Sequence, residues 1–163
     1  MEETTEKTQV MKIMDILVKD AVILDLHSEA KPGVLRELAE SLAKTESMLD
    51  VENLVSVLTE RESWQSTGIG DGVAIPHGRI KGLDRLMATF ARSVKGVDFV
   101  AVDGAPTHLF FLLVVPDNSG NQHLKALARI SRFFRDKDFC RRLLDAKTYE
   151  DVLRAIEAED AKF

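Results

Sequence analysis

The chain has 163 residues, the length of a single domain, and its 22 Lys+Arg against 27 Asp+Glu leave it acidic, with a net charge of −5 and a pI near 5.4. That balance disfavours nucleic acid and anionic membranes as partners, because both select for an excess of positive charge. A content of 45 % hydrophobic and 30 % charged residues is that of a globular chain, and the single cysteine, Cys140, excludes an intrachain disulfide framework and a cysteine-based zinc site.

Residues 1–8 carry almost no apolar side chains and read as a flexible N-terminal tail, with the domain spanning 9–163. The acidic start, MEETTEKTQ, has no apolar segment of the secretory kind. From Val10, apolar residues at Met11, Met14, Leu17 and Val18 have helical spacing. Ala21–Leu26 is short and rich in β-branched residues, and predicts a strand. Pro32 suits the first turn of a helix whose apolar stripe is Val34, Leu35, Leu38 and Leu42. Asp50 is placed to cap a second helix carrying Val51, Leu54, Val55 and Leu58, which fades near Arg61.

A glycine cluster, Thr67-Gly68-Ile69-Gly70-Asp71-Gly72, leads into Val73-Ala74-Ile75-Pro76-His77-Gly78, where Val73 and Ile75 alternate as on a strand and Pro76 ends ladder donation. Met87–Val94 and Thr107–Val115 predict two further strands, the second apolar throughout and therefore buried on both faces. Its uninterrupted apolar run, Leu109–Val115, falls far short of the roughly 20 residues a membrane helix needs, so no membrane insertion is expected and the chain is assigned to the cytoplasm. After the loop Pro116–Gly120, a long helix is expected from Asn121 to Arg135 with Leu124, Leu127, Ile130, Ser131 and Phe134 inward. Two shorter helices follow, around Phe139–Leu144 and Tyr149–Ala158. Strands interleaved with helices predict an α/β fold: one domain with a mixed sheet covered by helices. Strand order is not readable from the pattern.

Three residues stand out chemically. His77 follows a proline at a strand end, where the backbone is stiff and an imidazole is held in place; neutral near pH 7, such a ring is nucleophilic. The competing role is a histidine that only hydrogen-bonds within its turn. His123 opens the long helix on the side toward the sheet, where free N–H groups favour an anion; it serves either a phosphoryl group or merely its own backbone. Arg61 closes the second helix in Glu60-Arg61-Glu62, offering either a planar fork to phosphate or an ordinary cation to a helix C-terminus. The glycine cluster lacks the Gly-Lys-Ser/Thr ending of a nucleotide P-loop and precedes a strand instead of following one. Thr67, Gly68, Gly70, Gly72 and Gly78 are nevertheless candidates for a loop that offers backbone N–H groups to phosphate. His27 is expected to be solvated, His108 to be a structural strand residue and Cys140 to be a small buried hydrophobe. Lys137, Arg141, Arg142 and Lys147 read as a solvated basic face.

From about Met14 onward the sequence resembles the IIA components of the bacterial phosphoenolpyruvate-dependent sugar phosphotransferase system, fructose/mannitol type. The resemblance is carried by the gapless run Thr67-Gly-Ile-Gly-Asp-Gly-Val-Ala-Ile-Pro-His77-Gly, by Arg61-Glu62-Ser63 upstream, and by Val115-Pro116 before the helix with His123-Leu124. Pro76-His77-Gly78 and Cys140-Arg141-Arg142-Leu143 are more similar to the nitrogen-regulatory branch. The resemblance implies that His77 accepts a phosphoryl group from a phosphocarrier protein, HPr or its nitrogen-branch counterpart NPr, with His123 and Arg61 assisting. It implies no cofactor and no metal. Downstream it implies regulatory target proteins or, alternatively, a IIB protein of a sugar transporter. A noncatalytic binding module or a histidine metal site is the alternative from another class.

Overall fold

The computed structural model describes residues 11–163, so the tail expected over 1–8 lies outside the described residues. Helix α1 (Ile13–Ile16) and a 3-10 turn (Lys19–Ala21) precede α2 (Lys31–Thr45) and α3 (Val51–Trp64). Five strands follow: β1 (Gly68–Gly70), β2 (Val73–Ala74), β3 (His77–Ile80), β4 (Met87–Val97) and β5 (Thr107–Pro116). Helices α4 (Gln122–Arg135), α5 (Lys137–Asp145) and α6 (Tyr149–Lys162) complete the chain.

The sheet is organised by β5. One side of it pairs antiparallel with β4; the other pairs parallel with β2 and then with β3, which lie end to end along the same edge. Pro76 sits at the break between them: it cannot donate to the ladder, yet its carbonyl accepts the Leu113 N–H at 3.0 Å. Both faces of β5 are covered. Leu109, Phe111, Leu113 and Val115 join the core under α4, α5 and α6, while Phe110, Leu112 and Val114 join the core under α2 and α3. The unbroken apolar run thus has the cause expected for it, burial on two sides, and the single mixed-sheet α/β domain is as predicted.

Local chemistry explains most element ends. The Asp50 carboxylate accepts the Asn53 N–H at 2.9 Å and starts α3, and Pro32 stands in the first turn of α2. The expected strand at Ala21–Leu26 does not form. Its backbone touches β4 only intermittently: Ile23 exchanges two bonds with Phe90 and Arg92, but the next bond to the Arg92 carbonyl comes from Leu26 and not from Asp25. The chain therefore bends at Leu24–Asp25 and the ladder stops; the Arg92 side chain binds the Leu24 carbonyl there (Nε–O 3.1 Å). The N-terminal helical pattern likewise shrinks to one turn, since Leu17 and Val18 turn to pair with Ala88. Helix α3 runs one turn beyond Arg61, to Trp64. On α4, Ile130 and Phe134 are buried as expected and Leu127 and Ser131 are half-buried, but Leu124 is 56 % exposed.

At Gly78 the Cβ of any other residue would lie 2.6 Å from Cγ1 of Val57. This glycine is where α3 presses against β3, so it admits the chain's own helix and not a foreign backbone.

Candidate functional site

Because β3 is an edge strand, α3 on one face of the sheet and α4 on the other face do not meet across it. The gap is a cavity of about 530 Å³, floored by His77, Gly78, Arg79, Leu113 and Val115. Helix α3 contributes Val57, Glu60, Arg61 and Trp64 to its walls, and α4 contributes His123, Leu124 and Leu127. Trp64 and Leu124, 75 % and 56 % exposed, are large apolar groups of this lining left open to solvent.

His77 is held by both ring nitrogens. Nδ1 lies 2.8 Å from the Ile75 carbonyl, which assigns the proton to Nδ1 and leaves the Nε2 lone pair facing outward. Arg61 Nε donates to that Nε2 at 3.3 Å, and Arg61 Nη1 donates to the Gln65 carbonyl at 2.9 Å. The guanidinium is therefore tied both to its own helix terminus and to the imidazole. Burial pushes the His77 pKa below the ordinary histidine value; the neighbouring Arg61 and His123 push the same way, against the Ile75 hydrogen bond and the Glu62 carboxylate. Arg79, two residues along β3, is the remaining charged group on the cavity floor.

This depression has a defined sign in solution. The ring keeps its nucleophilic neutral form below the usual pKa of about 6.5, and its NMR titration midpoint is expected below that of a model histidine. As pH falls below about 6.5 the unfolded chain takes up the proton first, so His77 contributes a loss of stability on acidification down through its folded pKa. A midpoint at or above about 6.5 would show that burial and Arg61 do not outweigh the Ile75 hydrogen bond and the Glu62 carboxylate at this ring.

His123 completes the site with a partner that sequence reasoning did not single out. Arg79 Nη2 lies 3.2 Å from both nitrogens of the His123 ring, and Nη1 donates to the Asp117 carbonyl at 3.3 Å. His123 Nδ1 lies 3.0 Å from the Gly120 carbonyl, so Nδ1 carries the proton and Nε2 accepts from Arg79. The signal for Arg79 was present in the chain: at His77+2 on a strand it shares the face of His77. His77, His123 and Arg61 are thus brought into one cavity.

The other loop candidates fall elsewhere. Gly78 lines the cavity, but Thr67, Gly68, Gly70 and Gly72 do not. Gly70, Asp71 and Gly72 all have positive φ and form the turn between β1 and β2, while Gly68 lies close to the backbone of Ala101. Their conformational freedom serves that hairpin and not the cavity. Thr67 is buried and bonded to Glu62 through both its N–H and its hydroxyl. His27 is exposed; His108 lies in β5 with Nδ1 2.9 Å from the Ser93 carbonyl; Cys140 is half-buried on α5, and burial pushes its thiol up to about 11. Lys137, Arg141, Arg142 and Lys147 are all exposed.

Two guanidiniums and two imidazoles outweigh the one carboxylate of the cavity lining, Glu60, and favour an anion over a free cation. The family description "Phosphoenolpyruvate-dependent sugar phosphotransferase system, EIIA 2" matches residues 15–159. The chain belongs to this EIIA family. The nitrogen regulatory protein of Bradyrhizobium diazoefficiens is 39 % identical over 146 residues, covering 88 % of this chain and 95 % of that protein. The fructose-specific EIIABC component of Bacillus subtilis is 33 % identical over 150 residues; these are 92 % of this chain but only 24 % of that protein. Among solved structures, the nitrogen regulatory protein IIA-Ntr from Neisseria meningitidis superposes with a TM-score of 0.81 at 32 % identity, covering 88 % of this chain and 98 % of that one. This EIIA chain is therefore a phosphotransferase-system component similar to nitrogen regulatory proteins. Among its described residues, no helix is long and apolar enough to cross a membrane.

Proposed function

We propose that the chain is a phosphoryl carrier that accepts the group on Nε2 of His77 from a phosphocarrier protein of the HPr or NPr type. The observation that carries this reading is the ring's two-ended hold: the Ile75 carbonyl fixes the proton on Nδ1, and the Nε2 lone pair is turned toward a guanidinium at the cavity. The Nε2 lone pair forms the new N–P bond as the donor's N–P bond breaks, and the donor imidazole leaves with the electron pair. The Nδ1 proton stays in place, so the positive charge that develops on the ring is stabilised by the Ile75 carbonyl. Arg61 and Arg79 neutralise the three phosphoryl oxygens, and His123 holds Arg79 in position through its Nε2. Phosphoryl transfer asks for this kind of positioning and charge stabilisation. Exposed Trp64 and Leu124 offer the donor protein an apolar contact.

The output we infer is regulatory, read from the phosphorylation state of His77, and the likeness to nitrogen regulatory proteins supports it. A new dianion at the cavity changes what can dock there by repulsion and desolvation. The second reading, onward transfer to a IIB protein of a sugar transporter, draws on the likeness to the EIIABC component. Incubation with enzyme I, a phosphocarrier and phosphoenolpyruvate is expected to add one acid-labile phosphoryl group, measured as intact mass before and after acid treatment. No uptake from either HPr or NPr overturns the carrier reading, and rapid discharge to an added IIB protein replaces the regulatory reading with the transport one.

A further inference from the structure

Glu62 is a nearly buried carboxylate with no part in the transfer step described above; only 4 % of its side chain is exposed. A buried carboxylate persists only when its oxygens are satisfied, and here three donors converge on it. Oε1 accepts the Thr67 N–H at 3.0 Å and lies 2.8 Å from Lys31 Nζ; Oε2 accepts the Thr67 hydroxyl. The Thr67 carbonyl in turn accepts the Ile75 N–H at 3.0 Å, and the Ile75 carbonyl is the one that receives the His77 Nδ1–H. Every link from Glu62 to the His77 ring is thus a hydrogen bond or the backbone of a single residue, Thr67 or Ile75.

Glu62 is also the residue after Arg61 on α3. Successive helical side chains diverge by about 100°, so one turn of α3 sends Arg61 to the cavity side of the ring, at Nε2, and Glu62 to the loop that holds the opposite nitrogen. The same turn therefore grips both ends of one imidazole.

We propose that Glu62 is a positioning residue for His77, acting through Thr67 and the Ile75 carbonyl to keep Nδ1 protonated and Nε2 presented to the cavity. The proposal rests on reading His77 as the phosphoryl acceptor. Its charge adds a second effect, since the Glu62 carboxylate opposes the lowering of the His77 pKa by burial and by Arg61. With an uncharged amide at position 62, the ring loses that opposing term and the Thr67 hydroxyl loses its charged acceptor.

The test is nitrogen-15 NMR of the histidine rings in Glu62→Gln and, independently, in Thr67→Val, beside phosphoryl uptake rates. In Glu62→Gln the His77 titration midpoint moves down relative to wild type, the population with the proton on Nδ1 falls, and uptake slows by about tenfold to a hundredfold. Thr67→Val, which removes the hydroxyl half of the same Glu62–Thr67 link and leaves its N–H bond, shows a smaller loss of the Nδ1–H form in the same direction, whereas Thr67→Ser retains the wild-type spectrum. Should Glu62→Gln fail to fold, the two Thr67 variants decide by the same spectra. A folded Glu62→Gln or Thr67→Val with unchanged His77 tautomer and midpoint overturns the proposal. The ring spectra stand apart from the transfer assay, so a wild-type chain that takes up no phosphate would sink the carrier reading alone.

Discussion

Replacing His77 by alanine is expected to bring phosphoryl uptake to background while the far-ultraviolet circular dichroism stays that of the wild type. No other ring takes over. His123 has one nitrogen on the Gly120 carbonyl and the other on Arg79, and its task in this reading is to hold that guanidinium toward the phosphoryl oxygens. Arg61→Gln is a graded companion: the nucleophile remains, Arg79 still faces the cavity, and uptake slows by about 10² to 10³, the usual loss on removing one preorganised donor to developing charge, roughly 2.7–4 kcal/mol. Label surviving in His77→Ala removes the proposed acceptor. An undiminished rate in Arg61→Gln reduces that residue to a cation at a helix end, bonded to the Gln65 carbonyl.

The largest stability effect is expected far from the cavity. Asp160, on α6, accepts the backbone N–H groups of Ile13 and Met14, both at 2.9 Å, and so caps α1 across the whole length of the chain. Its Oδ1 also accepts from Arg129 Nη2 at 2.9 Å and Nε at 3.3 Å, a pair almost wholly shut off from solvent. Among the described residues, Asp160→Ala leaves the buried guanidinium with the backbone carbonyl of residue 160 and the face of Phe133, and takes the side-chain acceptor from two amides. Breaking one partner of a buried pair typically costs about 3–5 kcal/mol. At roughly 2–4 °C per kcal/mol for a domain of this size, the melting temperature should fall by about 6–20 °C. Replacing Arg129 by Met in the same chain should restore part of the loss, because the stranded charge is then gone. A melting temperature within about 2 °C of wild type would show that the carboxylate contributes little and that α1 is held by packing alone.

How much was legible in advance depended on the range of the interaction. The Asp50 cap, the Pro32 helix start and the doubly buried β5 are consequences of residues within a turn or of local periodicity, and all stand in the structure. The failures share a cause as well. Ala21–Leu26 has strand composition, but it bends at Leu24–Asp25 and meets β4, nearly 70 positions away, only through Ile23 and Leu26. Leu124 fits the inward stripe of α4 by spacing, yet α4 reaches past the sheet edge there and leaves the side chain at a cavity instead of a core. Glycines that looked like a phosphate cradle turned out to shape a hairpin and to let a helix approach a strand. Arg79 is not singled out in the sequence and Glu62 only as a neighbour of Arg61, because charge on a surface strand or a helix end is common; their partners set them apart.

From the sequence by itself came the α/β class, the element types, and the residues His77, His123 and Arg61, with the family legible in the run ending at Pro76-His77-Gly78. These rest on periodicity, backbone chemistry and residue identity, all of which are local properties of a chain. The tertiary structure alone decided that β2 and β3 share one edge of β5, that α3 and α4 leave a cavity over that edge, and which nitrogen of His77 faces it. Those outcomes depend on contacts between residues tens of positions apart, where a hydrogen bond of about 3 Å is made or missed by packing that no short window of sequence contains.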